Sequence, residues 1–183
     1  MAAILGDDVA IDDLCAKASG APDGGLVVPA NFNSPGQVVI SGEVAGVQKA
    51  VELAPEFGAK HTVPLLVSGA FHSPLMEPAR PGLEAAIAAT TFRDPVVPVY
   101  ANVTGAPVRD ATRGRALLLD QLTGAVRWTD TIRRLANAHP AALYVEVGAG
   151  NVLVKLARRI APALQTTTCG SVAEVEQLRS RLS

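Results

Sequence analysis

The chain has 183 residues, 49% of them hydrophobic and 4% aromatic, with a formal net charge of −1. That length suits one ordinary domain or two small ones sharing an interface, and the positive mean hydropathy excludes a disordered chain. Near-neutral charge and few aromatic rings leave no footprint for nucleic acid or an anionic membrane, and no apolar run approaches the roughly 18 residues of a membrane span. Asp7 and Asp8 stand where a secretory signal needs bases. Cys15 and Cys169 lie far apart, without metal-like spacing, and read as reduced thiols of a cytoplasmic protein.

Residues 1–5 form a short apolar run that reads as a strand. Asp7 or Asp8 can cap a helix with apolar positions Val9, Leu14, Cys15 and Ala18, ended by Gly20. Residues 26–33 are extended, Ser34-Pro35-Gly36 is a turn, and 37–41 is a β-branched strand. Val44, Val47, Val51 and Ala54 recur at helical spacing up to Pro55, and 62–68 is again strand-like. The order strand, helix, strand, strand, helix, strand is the ferredoxin-like βαββαβ pattern, which we assign to residues 1–66.

Residues 67–183 read as helices alternating with strands. Leu83 and Ile87 mark a helix with an irregular, Pro-containing start, and 96–102 a strand. Leu117, Leu118 and Leu122 belong to one helix, and Trp128, Ile132 and Leu135 to the next. Residues 143–147 are a buried-type strand. Gly148-Ala149-Gly150 turns into a helix with Val152, Leu153, Leu156 and Ile160. Residues 164–169 are a last strand, followed by an amphipathic helix through Val172, Val175, Leu178 and Leu182. Alternation of this kind predicts an α/β class with a parallel sheet flanked by helices. Three strands are few for such a sheet, so part of the fold is expected to lie outside this chain.

Two segments carry candidate chemistry. In Ser68-Gly69-Ala70-Phe71-His72-Ser73-Pro74-Leu75-Met76, a histidine follows a strand in a small-residue turn. Strand ends that open into loops are where α/β sheets place chemistry, and an imidazole with an ordinary pKa of about 6.5 can take a proton from a hydroxyl or thiol. A helix-capping or surface histidine is the alternative. In Ala30-Asn31-Phe32-Asn33-Ser34-Pro35-Gly36-Gln37, Asn31 and Asn33 share a strand face and, with Gln37, could fix a polar ligand. Turn chemistry accounts for them equally. Gly148-Ala149-Gly150 fails as a dinucleotide fingerprint because Leu153 holds the third glycine position. Trp128 reads as core, His61 and His139 as solvated, and the pairs Arg133-Arg134 and Arg158-Arg159 as solvated helix faces or a docking patch. No Gly-x-Ser-x-Gly elbow, phosphate loop or zinc spacing occurs in the sequence.

Four segments together resemble the malonyl-CoA:acyl-carrier-protein transacylase family in its discrete bacterial form. They are residues 30–42, residues 67–76, residues 99–104 with Gln121-Leu122 and Val126-Arg127-Trp128, and residues 145–160. The resemblance implies an α/β-hydrolase-like core with a ferredoxin-like insert, of which residues 67–183 would be the C-terminal part. It implies a ping-pong transfer of malonyl from malonyl-CoA to the phosphopantetheine thiol of acyl carrier protein in fatty acid synthesis, with no cofactor and no metal. His72 would correspond to the general base and Gln121 to the residue whose main-chain carbonyl orients it. Asn31, Asn33 and Gln37 would match the polar loop near the substrate, and Phe71 the pattern of malonyl-selective members. The family's serine elbow, oxyanion donors and malonate-binding arginine are absent, so the chain is expected to be inactive alone, a truncation or expressed fragment with Met1 as an internal methionine. A non-catalytic carrier-protein- or subunit-binding module, and an acyltransferase piece of a polyketide synthase, are the alternatives.

Overall fold

The computed structural model describes residues 1–182, apart from the side chain of Leu182, so the expected apolar contact of that residue lies outside the described positions. The chain divides into two compact units, Met1–Thr131 and Ile132–Ser183.

The first unit opens with β1 (Ala2–Leu5), α1 (Ile11–Ser19), β2 (Val27–Ser34), β3 (Gln37–Gly42), α2 (Val44–Leu53) and β4 (His61–Pro64). The strands form one antiparallel sheet in the order β2-β3-β1-β4. Ala2, Ile4, Val27 and Ile40 of the sheet pack with Leu14, Cys15 and Ala18 of α1 and Ala50 of α2 in a closed apolar cluster. Pro35 and Gly36 connect β2 to β3. Gly36 has φ of 74°, the left-handed value that the third residue of a Pro-Gly turn of type II requires.

Several local expectations change here. Neither Asp7 nor Asp8 caps α1: Asp7 pairs with Lys60 at 2.6 Å, and the helix begins at Ile11 without a side-chain cap. Val44 is exposed, because α2 turns Gly46 and Ala50 toward the sheet instead. The strand expected over 62–68 ends at Pro64, and Leu66 is fully exposed. In β2 the buried residues are Val27, Ala30 and Ser34, at spacings of three and four. Register shifts between Pro29 and Asn31 and between Phe32 and Ser34 cause this, since an extra residue in one strand breaks the two-residue alternation. Asn31 and Asn33 therefore do not share a face by simple alternation.

The unit continues with a 3₁₀ helix Pro74–Ala79 running into α3 (Arg80–Ala89). It then forms a short antiparallel hairpin, β5 (Val99–Ala101) with β6 (Ala106–Val108), and α4 (Ala111–Thr123). The strand expected over 96–102 is thus only its last part, and it pairs with β6 and not with a parallel neighbour; Val96 and Val97 are exposed. The first unit ends inside α5 (Trp128–Ala138).

The second unit continues from α5 through β7 (Leu143–Val147), α6 (Val152–Ile160), β8 (Gln165–Cys169) and α7 (Val172–Leu182). β7 and β8 are parallel and in register from Leu143↔Gln165 to Val147↔Cys169. Glu146 reaches from β7 to accept the N–H groups of Leu153 and Val154 at 3.1 and 2.8 Å, satisfying donors at the start of α6 that no local side chain caps. β7 is half-buried at best, not the buried strand its composition suggests. No helix among the described residues is long and apolar enough to cross a membrane.

Candidate functional site

The site is built from one loop and one helix end of the first unit. His72 adopts φ of 59°, the left-handed region that few non-glycine residues enter. What holds it there is Ser73, whose side chain is fully buried. The Ser73 hydroxyl donates to the Ala70 carbonyl at 2.6 Å and accepts the Leu75 N–H at 3.3 Å. One hydroxyl thus braces the loop on both sides of His72 and caps the following 3₁₀ helix, where Pro74 supplies the preset φ of a first helical position.

The partner of the imidazole comes from α4. Asp110 caps that helix through the Arg113 N–H at 2.7 Å, and Gly124 closes its other end on the Asp120 carbonyl at 2.9 Å. Carbonyls in the last turn of a helix have no intrahelical donor. The Gln121 carbonyl is one of these, and it lies 3.3 Å from His72 Nδ1. A carbonyl can only accept, so this contact calls for a proton on Nδ1 and leaves Nε2 with its lone pair free. The Gln121 side chain also lies at the ring: Nε2 donates to the Gly124 carbonyl at 2.8 Å and stands 3.3 Å from His72 Nδ1.

Beyond Gly124 the chain is tied to β2. Val126 N–H donates to Ala30 and Phe32 N–H donates to Val126, each at 2.8 Å, which sets Asn31 opposite Val126. The Thr129 hydroxyl donates to the Phe32 carbonyl at 3.0 Å. Asn31 therefore sits on the strand that anchors the segment following Gln121. Asn33 lies within the irregular end of β2, and Gln37 heads β3 opposite Ser34 and Leu5. The hydrogen bonds described at the imidazole both lead to Gln121. Phe71 is partly exposed beside His72, with its ring over Gly69.

His72 and Gln121 are thus brought together from positions 49 apart. The bracing role of Ser73 was not read from the sequence, although Ser-Pro after a histidine is the signal that would have found it. The Gln121 amide and Gly124 had no signal in the sequence. A mostly apolar cavity of about 360 Å³ opens beside α4, lined by Phe92, Val99, Tyr100, Leu117 and Gln121 among others. Trp128 is half-buried, His61 and His139 are exposed, and the paired arginines of α5 and α6 are exposed.

Residues 3–176 match the family model described as the acyl transferase domain. The chain belongs to that family. It is 39% identical over 177 residues to the malonyl CoA-acyl carrier protein transacylase of Bacillus subtilis, covering 96% of this chain and 55% of that protein. The crystal structure of an acyl-carrier-protein-S-malonyltransferase from Bartonella henselae superposes with a TM-score of 0.90 at 40% identity, covering 99% of this chain and 57% of the other. A malonyl-transacylase solved with its type II polyketide synthase acyl-carrier protein superposes with a TM-score of 0.90 at 34% identity, covering 98% and 57%. The chain spans about half the length of the curated relatives it matches. As a member of this α/β family its relatives are acyltransferases, and the His72 loop, α4 and β2 all fall inside the matched region.

Proposed function

We propose that this chain carries the general-base half of a malonyl-CoA:acyl-carrier-protein transacylase site, serving fatty acid synthesis in the cytoplasm. The single observation that carries it is the imidazole of His72, held in a left-handed turn with Nδ1 at 3.3 Å from a free helix-end carbonyl. With the Nδ1 proton turned toward that carbonyl, Nε2 is free to act as the base. Residues 1–66 would be the ferredoxin-like subdomain, a reading supported by the antiparallel order β2-β3-β1-β4 with two helices. Residues 67–183 would be the C-terminal part of an α/β-hydrolase-like core.

The chemistry needs a hydroxyl nucleophile that no elbow in this sequence supplies. With a serine provided by further polypeptide, Nε2 takes the hydroxyl proton as the oxygen attacks the malonyl thioester carbon. The carbon–sulfur bond breaks, the imidazolium returns the proton to the coenzyme A thiolate, and malonyl-serine remains. In the second half His72 removes the phosphopantetheine thiol proton, sulfur attacks the ester carbon, and the serine oxygen leaves with that proton. Asn31, Asn33 and Gln37 would line the polar side of the substrate and Phe71 would restrict the acyl pocket to unbranched malonyl. The type II polyketide partner named with one matching structure keeps a polyketide carrier protein as a second acceptor.

Radiolabelled malonyl-CoA tests this directly. The chain alone should take up no acid-stable label. Mixed or fused with the part of the Bacillus subtilis relative that it does not match, it should pass label to holo acyl carrier protein. His72→Ala should then lower transfer roughly a thousandfold or more. Stoichiometric labelling of the chain alone, or undiminished transfer by the His72 variant, overturns the proposal.

A further inference from the structure

Gln121 presents two groups to one nitrogen, and they ask for opposite protonation. Its carbonyl, 3.3 Å from His72 Nδ1, can only accept and so demands Nδ1–H. Its side-chain amide nitrogen, also 3.3 Å from Nδ1, can only donate and so demands a bare Nδ1 with the proton on Nε2. The orientation of the amide is not free. One of its hydrogens is drawn to the Gly124 carbonyl at 2.8 Å, and turning the amide over would set its oxygen against that carbonyl. The nitrogen is therefore fixed beside the ring with a second hydrogen to give.

We infer that the Gln121 side chain is a positioning residue that competes with its own carbonyl for His72 Nδ1, and so sets how much of the neutral imidazole is in the base-competent Nδ1–H form. The main chain favours the form with a free Nε2 lone pair, and the side chain favours the form in which Nε2 already carries the proton. The two distances are equal, so neither partner excludes the other by proximity. The consequence for acyl transfer rests on His72 being the base, whereas the tautomer balance itself does not.

The test is a long-range proton–nitrogen NMR spectrum of the full chain, labelled with ¹⁵N-histidine, at alkaline pH where the rings are neutral. The chain has three histidines, and the His72 signals are assigned by their loss in His72→Gln. The wild-type ring should show both nitrogens displaced from the pure-tautomer values. Gln121→Met removes the donor, keeps the main-chain acceptor, and should move the balance toward Nδ1–H by roughly threefold to tenfold, the worth of one hydrogen bond. Gln121→Glu replaces the donor with an acceptor and should move it the same way; it also covers the case in which the Met variant misfolds. His61 and His139 should not change in either. An unchanged His72 balance, or a shift toward Nε2–H, overturns the inference. A tautomer response without any effect of His72→Ala on malonyl transfer would instead sink the base assignment and leave the Gln121 role standing.

Discussion

Ile4 in β1 and Val147 in β7 are both apolar residues inside strands, yet Ile4 is 1% exposed and Val147 is 81% exposed. The difference lies in neighbours, not in side-chain type. β1 has strands on both edges and helices α1 and α2 across one face, so its apolar residues meet partners within one closed cluster. β7 has a single paired strand, β8, among the described residues. A β-branched apolar run states that a strand will form; burial is then decided by what the rest of the fold sets against it.

Truncating a side chain in each region is the strongest way to break this contrast. Leu14 is fully buried between α1 and the first sheet. Leu14→Ala removes its contacts and leaves a cavity, and should cost about 2–5 kcal/mol in denaturant unfolding followed by a probe in the first unit. Val147→Ala should cost under about 0.5 kcal/mol. Equal losses for the two variants would show that Val147 is covered in solution.

The two cysteines sharpen the same contrast without a mutation. Cys15 lies in the closed cluster, and burial, with the Asp12 carboxylate nearby, pushes its thiol up to about 12. Cys169 closes β8 and is partly exposed. Since the thiolate is the reactive form and must also be reachable, iodoacetamide at neutral pH should modify Cys169 at least a hundredfold faster than Cys15, read by peptide mass. Comparable rates would mean that the first cluster opens readily.

Much of the fold was legible in the amino-acid sequence. The β-branched run at 37–41, the Pro-Gly turn and the periodic apolar residues of α4, α5 and α6 all became the elements they indicated. Boundaries failed where distant partners decided them. The cap position of α1 falls at Ala10, past Asp7 and Asp8, where the Ala10 N–H is held by the Phe57 carbonyl; residues 65–68 have strand composition, but pairing stops at Pro64. β6 was missed because three residues with a central proline carry no strand pattern, and it exists by pairing with β5. The bulged register of β2 came from pairing, which residue spacing cannot express. At the candidate site the turn around His72 was readable as a turn. The meeting of His72 with Gln121 was not readable from spacing and came from family likeness. The buried hydroxyl of Ser73 and the amide of Gln121 needed the three-dimensional placement of α4 against the loop.

The smallest expected effect lies in the second unit, at the junction of β8 and α7. The Glu174 carboxylate accepts from the Thr168 hydroxyl, from the Gly170 N–H at 2.9 Å and from the Ser171 hydroxyl at 3.0 Å. These bonds, the Thr168 hydroxyl foremost, hold its carboxyl below the ordinary glutamate value of 4.5, against a weaker opposing effect of burial. A carboxyl whose folded pKa is depressed contributes stability above its unfolded pKa and loses it as pH falls through the folded value. The contribution of Glu174 should therefore be complete near neutrality and fade below the ordinary glutamate range. Glu174→Gln keeps one acceptor but has no charge to lose, so the difference between the two proteins should narrow on acidification. Hydrogen exchange of the first-turn amides of α7, followed with pH, isolates this junction from the Asp7–Lys60 pair in the first unit, which also weakens in acid. If wild type and Glu174→Gln exchange in parallel at every pH, the carboxylate is not what secures α7 to β8.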